Sequence, residues 1–140
     1  MVLDVILSVR GSQSYAAQEP EIIELVTEGT LEQTPDGWKL ANEESNLTGL
    51  EGVNTTFLVK PEEITLIRTG KLNSQMVFRE GEAYDSLYQM EFGTLMLTVC
   101  ATRVDADITT DGGVIDLRYN IGIEQSAAGV IEYHLDIRVK

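Results

Sequence analysis

The chain has 140 residues, of which 43% are hydrophobic and 24% are charged, and its formal net charge is −13. This length fits one domain over residues 1–140, and the composition is that of an ordinary globular protein. No run approaches the roughly 18 apolar residues that a spanning helix needs, so we expect no membrane partner and a cytoplasmic location. Because no cluster of Lys and Arg offers contacts to phosphates, nucleic acid is not an expected partner.

The sequence contains one cysteine, Cys100, and one histidine, His134. A single cysteine cannot form an intramolecular disulfide, and so few nitrogen and sulfur ligands argue against a zinc site. Asp105, Asp107 and Asp111 offer oxygen ligands, but they lack the glycine and glutamate spacing of a calcium loop. We therefore expect a solvated turn at these aspartates, and neither a metal nor a cofactor.

Apolar and polar residues alternate with a period of two along nearly the whole chain. In chain order, this pattern predicts strands at about residues 2–10, 21–29, 37–45, 53–60, 63–70, 74–80, 84–91, 94–104, 113–124 and 130–139. Turn residues separate these strands at intervals of roughly 8 to 12 residues, which is typical of a meander, sandwich or barrel. No long segment shows a helical period, so we expect an all-β fold.

The connections give further detail. Residues 10–20, "RGSQSYAAQEP", are rich in small polar residues and predict a long first loop. "TTDGGV" contains the Asp-Gly of a tight hairpin, and "SAAGV" (126–130) predicts a short loop that joins the last two strands as antiparallel neighbours. About ten strands in one small domain favour closure into a barrel, because closure removes the exposed edges that promote aggregation.

The order of several motifs resembles that of a known family. "TGLEG", "ITLIRTG", "MVFREGE", "YQMEFGTLMLTV" and "GGVIDLRYNIGIE" follow one another with spacing similar to that of the YwiB-like bacterial domains of unknown function. The most specific parts are the arginine and glycine of "IRTG" and the tyrosine-to-glycine step of "YQMEFGTL". The resemblance implies a closed antiparallel calycin-like, or lipocalin-like, β-barrel of about 8 to 10 strands. It implies no activity, since what this family does is not established.

Arg68 lies in the middle of the apolar strand motif "ITLIRTG" and shares the parity of Ile64 and Leu66. Because side chains alternate between the two faces of a strand, its guanidinium is predicted to point into the barrel. An unpaired charge in that position costs several kcal/mol, whereas an exposed ion pair contributes only about 0 to 1 kcal/mol. A buried Arg68 therefore needs a partner.

The same alternation directs Glu44, Tyr88 and Tyr119 inward from three other strands. One interpretation is a closed structural network, in which Glu44 forms an ion pair with Arg68 and phenol hydroxyls complete it. The other is a ligand site in which Arg68, Glu44, Tyr88 and Tyr119 surround a small, partly apolar anion. A register shift of one residue would invert all of these assignments.

Catalytic signatures are absent from the sequence. There is no G-x-S-x-G, His134 is predicted on a solvent-facing side with no group to orient it, and Glu43 and Glu44 point to opposite faces of a strand. We therefore expect a protein that is not an enzyme and has no catalytic residues. The leading hypothesis is a barrel that binds a small-molecule anion. The alternative is a non-catalytic interaction or structural module whose acidic surface docks a basic partner.

Overall fold

In the computed structural model, the described residues are 2–15, 19–44, 51–124 and 126–140, and every regular element in these ranges is a β-strand. The strands are β1 (Val2–Tyr15), β2 (Glu21–Thr34), β3 (Gly37–Glu43), β4 (Val53–Lys60), β5 (Glu63–Gly70), β6 (Asn73–Phe78), β7 (Ala83–Met90), β8 (Gly93–Thr109), β9 (Gly112–Ile123) and β10 (Ser126–Val139). None of these residues belongs to a helix that is long and apolar enough to cross a membrane. The predicted all-β fold is confirmed.

The strands form one closed antiparallel barrel. Each strand pairs with its neighbours in the chain, and β1 pairs with β10, from Val5 opposite Val139 to Tyr15 opposite Gly129. Because each described strand has a partner on both sides, closure leaves the sheet without a free edge strand. The predicted closed barrel is therefore confirmed.

The predicted first loop at residues 10–20 is wrong over much of its length. β1 continues to Tyr15, and residues 16–18 lie outside the described part of the chain. Residues 11–13 pair with β10 on one side and with β2 on the other. Pairing on both sides satisfies the backbone hydrogen bonds, so small polar residues stay extended despite their preference for loops.

The connection between the last two strands also differs from the prediction. β10 begins at Ser126, so the residues of "SAAGV" lie within the strand and do not form a loop. The ladder between β9 and β10 is antiparallel, as expected, and it shifts register between Ala127 and Gly129. A bulge of this kind accommodates an extra residue while the pairing continues on both sides of it.

The hairpin between β8 and β9 turns at Thr110 and Asp111, so it includes the aspartate of the predicted Asp-Gly turn, and the glycine begins β9. Gly112 has a φ of +116° there, and a Cβ atom at that position would lie 2.2 Å from the carbonyl oxygen of Ile137. Glycine is therefore required on both conformational and steric grounds. β8 itself extends to Thr109, so the expected solvated turn at Asp105 and Asp107 is wrong, and both residues lie on the strand.

The apolar core packs inside the barrel. The largest fully buried side chains are Phe78, Leu7, Leu31, Leu40, Ile64, Leu66, Ile115, Leu135, Val5 and Val99. Phe78 packs against the ring of Tyr119, with the ring centroids 4.6 Å apart and the planes inclined at 41°. Along β5, the buried Ile64 and Leu66 precede Arg68, so this part of the apolar core lies toward the start of β5 from the arginine.

Truncation of a core ring gives a direct check of this arrangement. Phe78 is completely buried, whereas Phe92 is 87% exposed in the turn between β7 and β8. We expect Phe78→Ala to lower the free energy of unfolding by about 3 to 5 kcal/mol, because it removes buried surface and leaves a cavity. Phe92→Ala should change it by less than about 0.5 kcal/mol. Urea unfolding of the two variants measures both values, and equal stabilities would contradict the assigned core.

Candidate ligand site in the barrel interior

A cavity of about 380 Å³ lies inside the barrel. Its lining includes all four residues predicted from strand parity: Glu44, Arg68, Tyr88 and Tyr119. Small-molecule sites in proteins usually have volumes of about 300 to 1,000 Å³, so this cavity is at the small end of that range. The structure thus brings the predicted residues together around one space, although Arg68, Tyr88 and Tyr119 come from three different strands and Glu44 follows the end of β3.

Polar side chains form a continuous row across one half of the barrel. Asn42 lies opposite Thr55, Thr55 opposite Arg68, Arg68 opposite Ser74, and Ser74 opposite Tyr88. Directly opposed residues in an antiparallel ladder place their side chains on the same face, within contact distance of each other. The five strands β3 to β7 therefore each contribute one inward polar residue, and each residue lies in direct register with the next. We refer to these five residues as the polar row.

Three atoms of the polar row are buried and have no hydrogen-bond partner. These atoms are Thr55 Oγ1, Arg68 Nε and Ser74 Oγ. Among the described residues, no other buried side-chain nitrogen or oxygen lacks a hydrogen-bond partner. Native proteins leave few such atoms, because each costs about 1 to 3 kcal/mol. Here the three are consecutive in register, so the unsatisfied polarity is concentrated at a single place in the fold.

The structural ion pair considered from sequence is not formed. No carboxylate among the described residues lies within 4.0 Å of the Arg68 guanidinium nitrogens. Glu44 also lines the cavity, but its Oε1 accepts a hydrogen bond of 3.3 Å from Asn42 Nδ2. The two opposite charges thus face the same space without a direct contact between them.

Tyr133 completes this group and was missing from the predicted site. Its ring packs edge-on against Phe57, with the centroids 6.4 Å apart. Burial raises the pKa of the Tyr133 phenol, the charge and hydrogen bond of Arg68 act to lower it, and Glu44 raises it further. Tyr133 therefore interacts with both charged groups of the cavity. Period-two alternation along β10 directs Tyr133 inward together with Ile131 and Leu135, so parity alone could have found it.

The other half of the barrel supplies mainly apolar lining. Its contributions include Val9, Leu25, Leu97, Ile121, Ile131 and Leu135. These side chains come from β1, β2, β8, β9 and β10, whereas the polar row comes from β3 to β7. The cavity consequently has a polar wall around one guanidinium and an apolar wall facing it, a combination typical of sites for amphipathic small molecules.

His134 lies on the outer face of the barrel, and the prediction that nothing orients it is wrong. Its Nδ1 is 2.5 Å from Asp116 Oδ1, and its Nε2 is 3.1 Å from Asp136 Oδ2. Asp116 is its direct partner on β9, and Asp136 follows on the same face of β10. The hydrogen bond to Asp116, followed by the smaller effects of both aspartate charges, raises the pKa of His134 despite a partial desolvation. The described residues contain no group of three His, Cys, Asp or Glu side chains that is arranged to hold a metal.

Comparison with known proteins gives a family and a fold. A profile described as "Domain of unknown function (DUF1934)" matches residues 7–137. The structure is similar to the crystal structure of the ywiB protein from Bacillus subtilis, with a TM-score of 0.89 and 20% sequence identity over 99% of this chain and 93% of that chain. No curated protein matches the sequence. The resemblance to YwiB-like domains is confirmed, and at this identity the structural likeness shows the barrel fold alone.

The histidine cluster predicts a pH dependence of stability. The folded-state pKa of His134 is raised above 6.5, so its stabilising effect is fully present below that pH and is lost as the pH rises through the folded-state pKa. The cluster is partly exposed, so the effect should be about 1 kcal/mol or less. We expect His134→Gln to be less stable than the wild type at pH below 6.5, with a smaller difference in mildly alkaline solution, as measured by urea unfolding. A difference that is independent of pH would contradict this assignment.

Replacement of Arg68 is predicted to stabilise the folded protein, whereas replacement of His134 is predicted to destabilise it. Arg68→Met removes a partly buried charge whose Nε is buried and which has no ion-pair partner, so the free energy of unfolding of the ligand-free protein should rise by about 1 to 3 kcal/mol. The matched control is Arg118→Met, because Arg118 is exposed on β9 and should change stability by less than about 0.5 kcal/mol. Chemical unfolding of both variants is the measurement. A loss of stability in Arg68→Met would show that the arginine is structural.

Proposed function

The chain belongs to the DUF1934 family, and we propose that its barrel is a non-catalytic binding protein for a small, partly apolar anion held in the interior cavity. The single observation that carries this proposal is the buried Nε of Arg68, which has no hydrogen-bond partner and no ion-pair partner. A guanidinium presents planar N–H donors that match the two oxygens of a carboxylate. A ligand carboxylate at Arg68 would accept the Nε–H and neutralise the partly buried charge.

The neighbours of Arg68 support the same kind of ligand. Thr55 lies directly beside Arg68 in the ladder and also lines the cavity with an unpartnered hydroxyl. A hydroxyl next to a guanidinium donates a further hydrogen bond to an anionic head group. Tyr88 closes the polar row at β7, and Tyr119 contributes a phenol from β9. The proposed head-group subsite is therefore Arg68 and Thr55, with the two phenols at its sides.

The apolar half of the lining supports a ligand with a hydrocarbon part. Ile121, Ile131 and Leu135 belong to this half of the cavity lining. Each methylene group that leaves water for such surroundings contributes about 0.8 kcal/mol. A cavity of about 380 Å³ favours a short chain or a single ring over a long lipid.

The positions of the reactive residue types support binding without catalysis. Glu44 is the one carboxylate in the cavity lining that the structure describes, whereas glycosidase-type catalysis needs two in one cavity. His134 faces outward from β10, next to Asp116 and Asp136. Cys100 lies opposite Asn120 on the outer parity of β8. These positions favour a binding role for the interior.

Octanoate is a suitable probe of the proposed function, and 1-octanol is its uncharged counterpart. We expect the wild-type protein to bind octanoate at least about tenfold more tightly than 1-octanol, because a charge-assisted hydrogen bond contributes about 1.5 to 3 kcal/mol. Arg68→Met should remove this preference, whereas Arg118→Met should retain it. Isothermal titration calorimetry measures the three sets of affinities.

Two results would overturn the proposal. One is a wild-type protein that binds neither compound, which would favour an interaction module whose acidic surface docks a basic partner. The other is octanoate binding that is equally strong in Arg68→Met, which would place the anion elsewhere. Thermal unfolding of each variant confirms that a loss of binding does not reflect a loss of fold.

A further inference from the structure

The cavity lining contains two charged side chains in its described part, Arg68 and Glu44, and they have opposite signs. They do not form an ion pair, since no guanidinium nitrogen of Arg68 lies within 4.0 Å of a carboxylate oxygen of Glu44. Both charges interact with the phenol of Tyr133. A ligand that occupies this space therefore meets a cation and a carboxylate at the same time.

The position of Glu44 is fixed by the fold. Its backbone N–H donates a hydrogen bond of 2.8 Å to the carbonyl oxygen of Val53, so the chain remains paired with β4 beyond the end of β3. Its side chain accepts a hydrogen bond from Asn42, the inward residue two positions earlier. Glu43 points to the outer face and is exposed. Glu44 is consequently directed toward the cavity by strand parity and by its hydrogen bonds.

These two charges restrict the charge of the ligand. A simple monoanion would compensate Arg68 but would leave Glu44 without a counter-charge in a partly desolvated space. A phosphate dianion would add a second negative charge opposite only one guanidinium. A ligand that carries both an anionic and a cationic group compensates both side chains and leaves the site electrically balanced.

We propose, as an extension that rests on the proposed function, that the ligand is zwitterionic. Its carboxylate binds Arg68 and its ammonium group binds Glu44. Its apolar side chain packs against the cavity wall formed by β8 to β10. Apolar α-amino acids and their close analogues have this chemistry. Asn42 holds the Glu44 carboxylate in place, so it acts as a positioning residue for the ammonium group.

Three compounds with the same chain test this inference. 2-Aminooctanoate carries both charges, octanoate carries only the carboxylate, and octylamine carries only the ammonium group. We expect the wild-type protein to bind 2-aminooctanoate about tenfold more tightly than octanoate, and also more tightly than octylamine. Calorimetric titration of all three compounds gives the order directly.

Glu44→Gln and Glu43→Gln form the matched pair of variants. Both remove one carboxylate from adjacent positions, but only Glu44 lines the cavity. In Glu44→Gln, the advantage of 2-aminooctanoate over octanoate should disappear, while octanoate binding should persist or strengthen. Glu43→Gln should behave as the wild type does. Because glutamine retains the shape of glutamate and an oxygen that accepts from Asn42, the variant should keep its fold, which thermal unfolding checks.

The possible failures are distinguishable. If octanoate binds through Arg68 but 2-aminooctanoate binds no better, or if its advantage survives Glu44→Gln, the zwitterionic ligand is excluded and the proposed anion site remains. If octanoate does not bind, or binds equally well to Arg68→Met, the proposed function itself fails. Tighter binding of octylamine than of either acid would overturn both, because it would make Glu44 the dominant anchor.

Discussion

The strand register from β3 to β7, which contains no bulge at the polar row, is the constraint on which the interior depends. Within it, every pairing from Asn42 to Tyr88 is direct and shows no register shift. Among the residues that the structure describes, the two register shifts lie elsewhere, at Ala101/Arg103 in β8 and at Ala127/Gly129 in β10. A single bulge within β3 to β7 would turn part of the polar row outward, because side chains alternate between faces with a period of two. The regularity of these strands therefore determines which groups face the cavity.

Much of this arrangement could be predicted from the sequence because alternation is a local property. The inward positions of Arg68 and Glu44 follow from counting residues within one strand, and a bulge-free ladder preserves that count. The inward position of Tyr133 follows from the same count, although parity does not distinguish an inward tyrosine of a ligand site from a tyrosine of the apolar core. Thr55 and Ser74 could not be singled out, since a small hydroxyl side chain is common on either face of a strand. Only the register that places them beside Arg68 makes them distinctive.

Features that depend on partners across the sheet were beyond sequence analysis. Residues 11–13 carry a loop composition, but pairing with both β2 and β10 keeps them extended. His134 is oriented by Asp116 on a different strand, and sequence gives no indication of that register. The separation of Arg68 from Glu44 is of the same kind: parity shows that two residues face one interior, but not whether they are close enough to form an ion pair.

The separation of Arg68 from Glu44 also determines how the stability of the barrel relates to its proposed function. A protein selected only for stability would pair these charges or replace them with apolar residues, because an unpaired buried charge costs several kcal/mol. Here the guanidinium and the carboxylate face one cavity without pairing, and the two neighbouring hydroxyls of the polar row have no hydrogen-bond partner, while Phe78, Leu66 and other apolar side chains are fully buried. Local departures from the rules of packing and polar satisfaction are typical of functional sites. The polar row is such a departure within an otherwise consistent fold, so the interior of the barrel is where its function is to be sought.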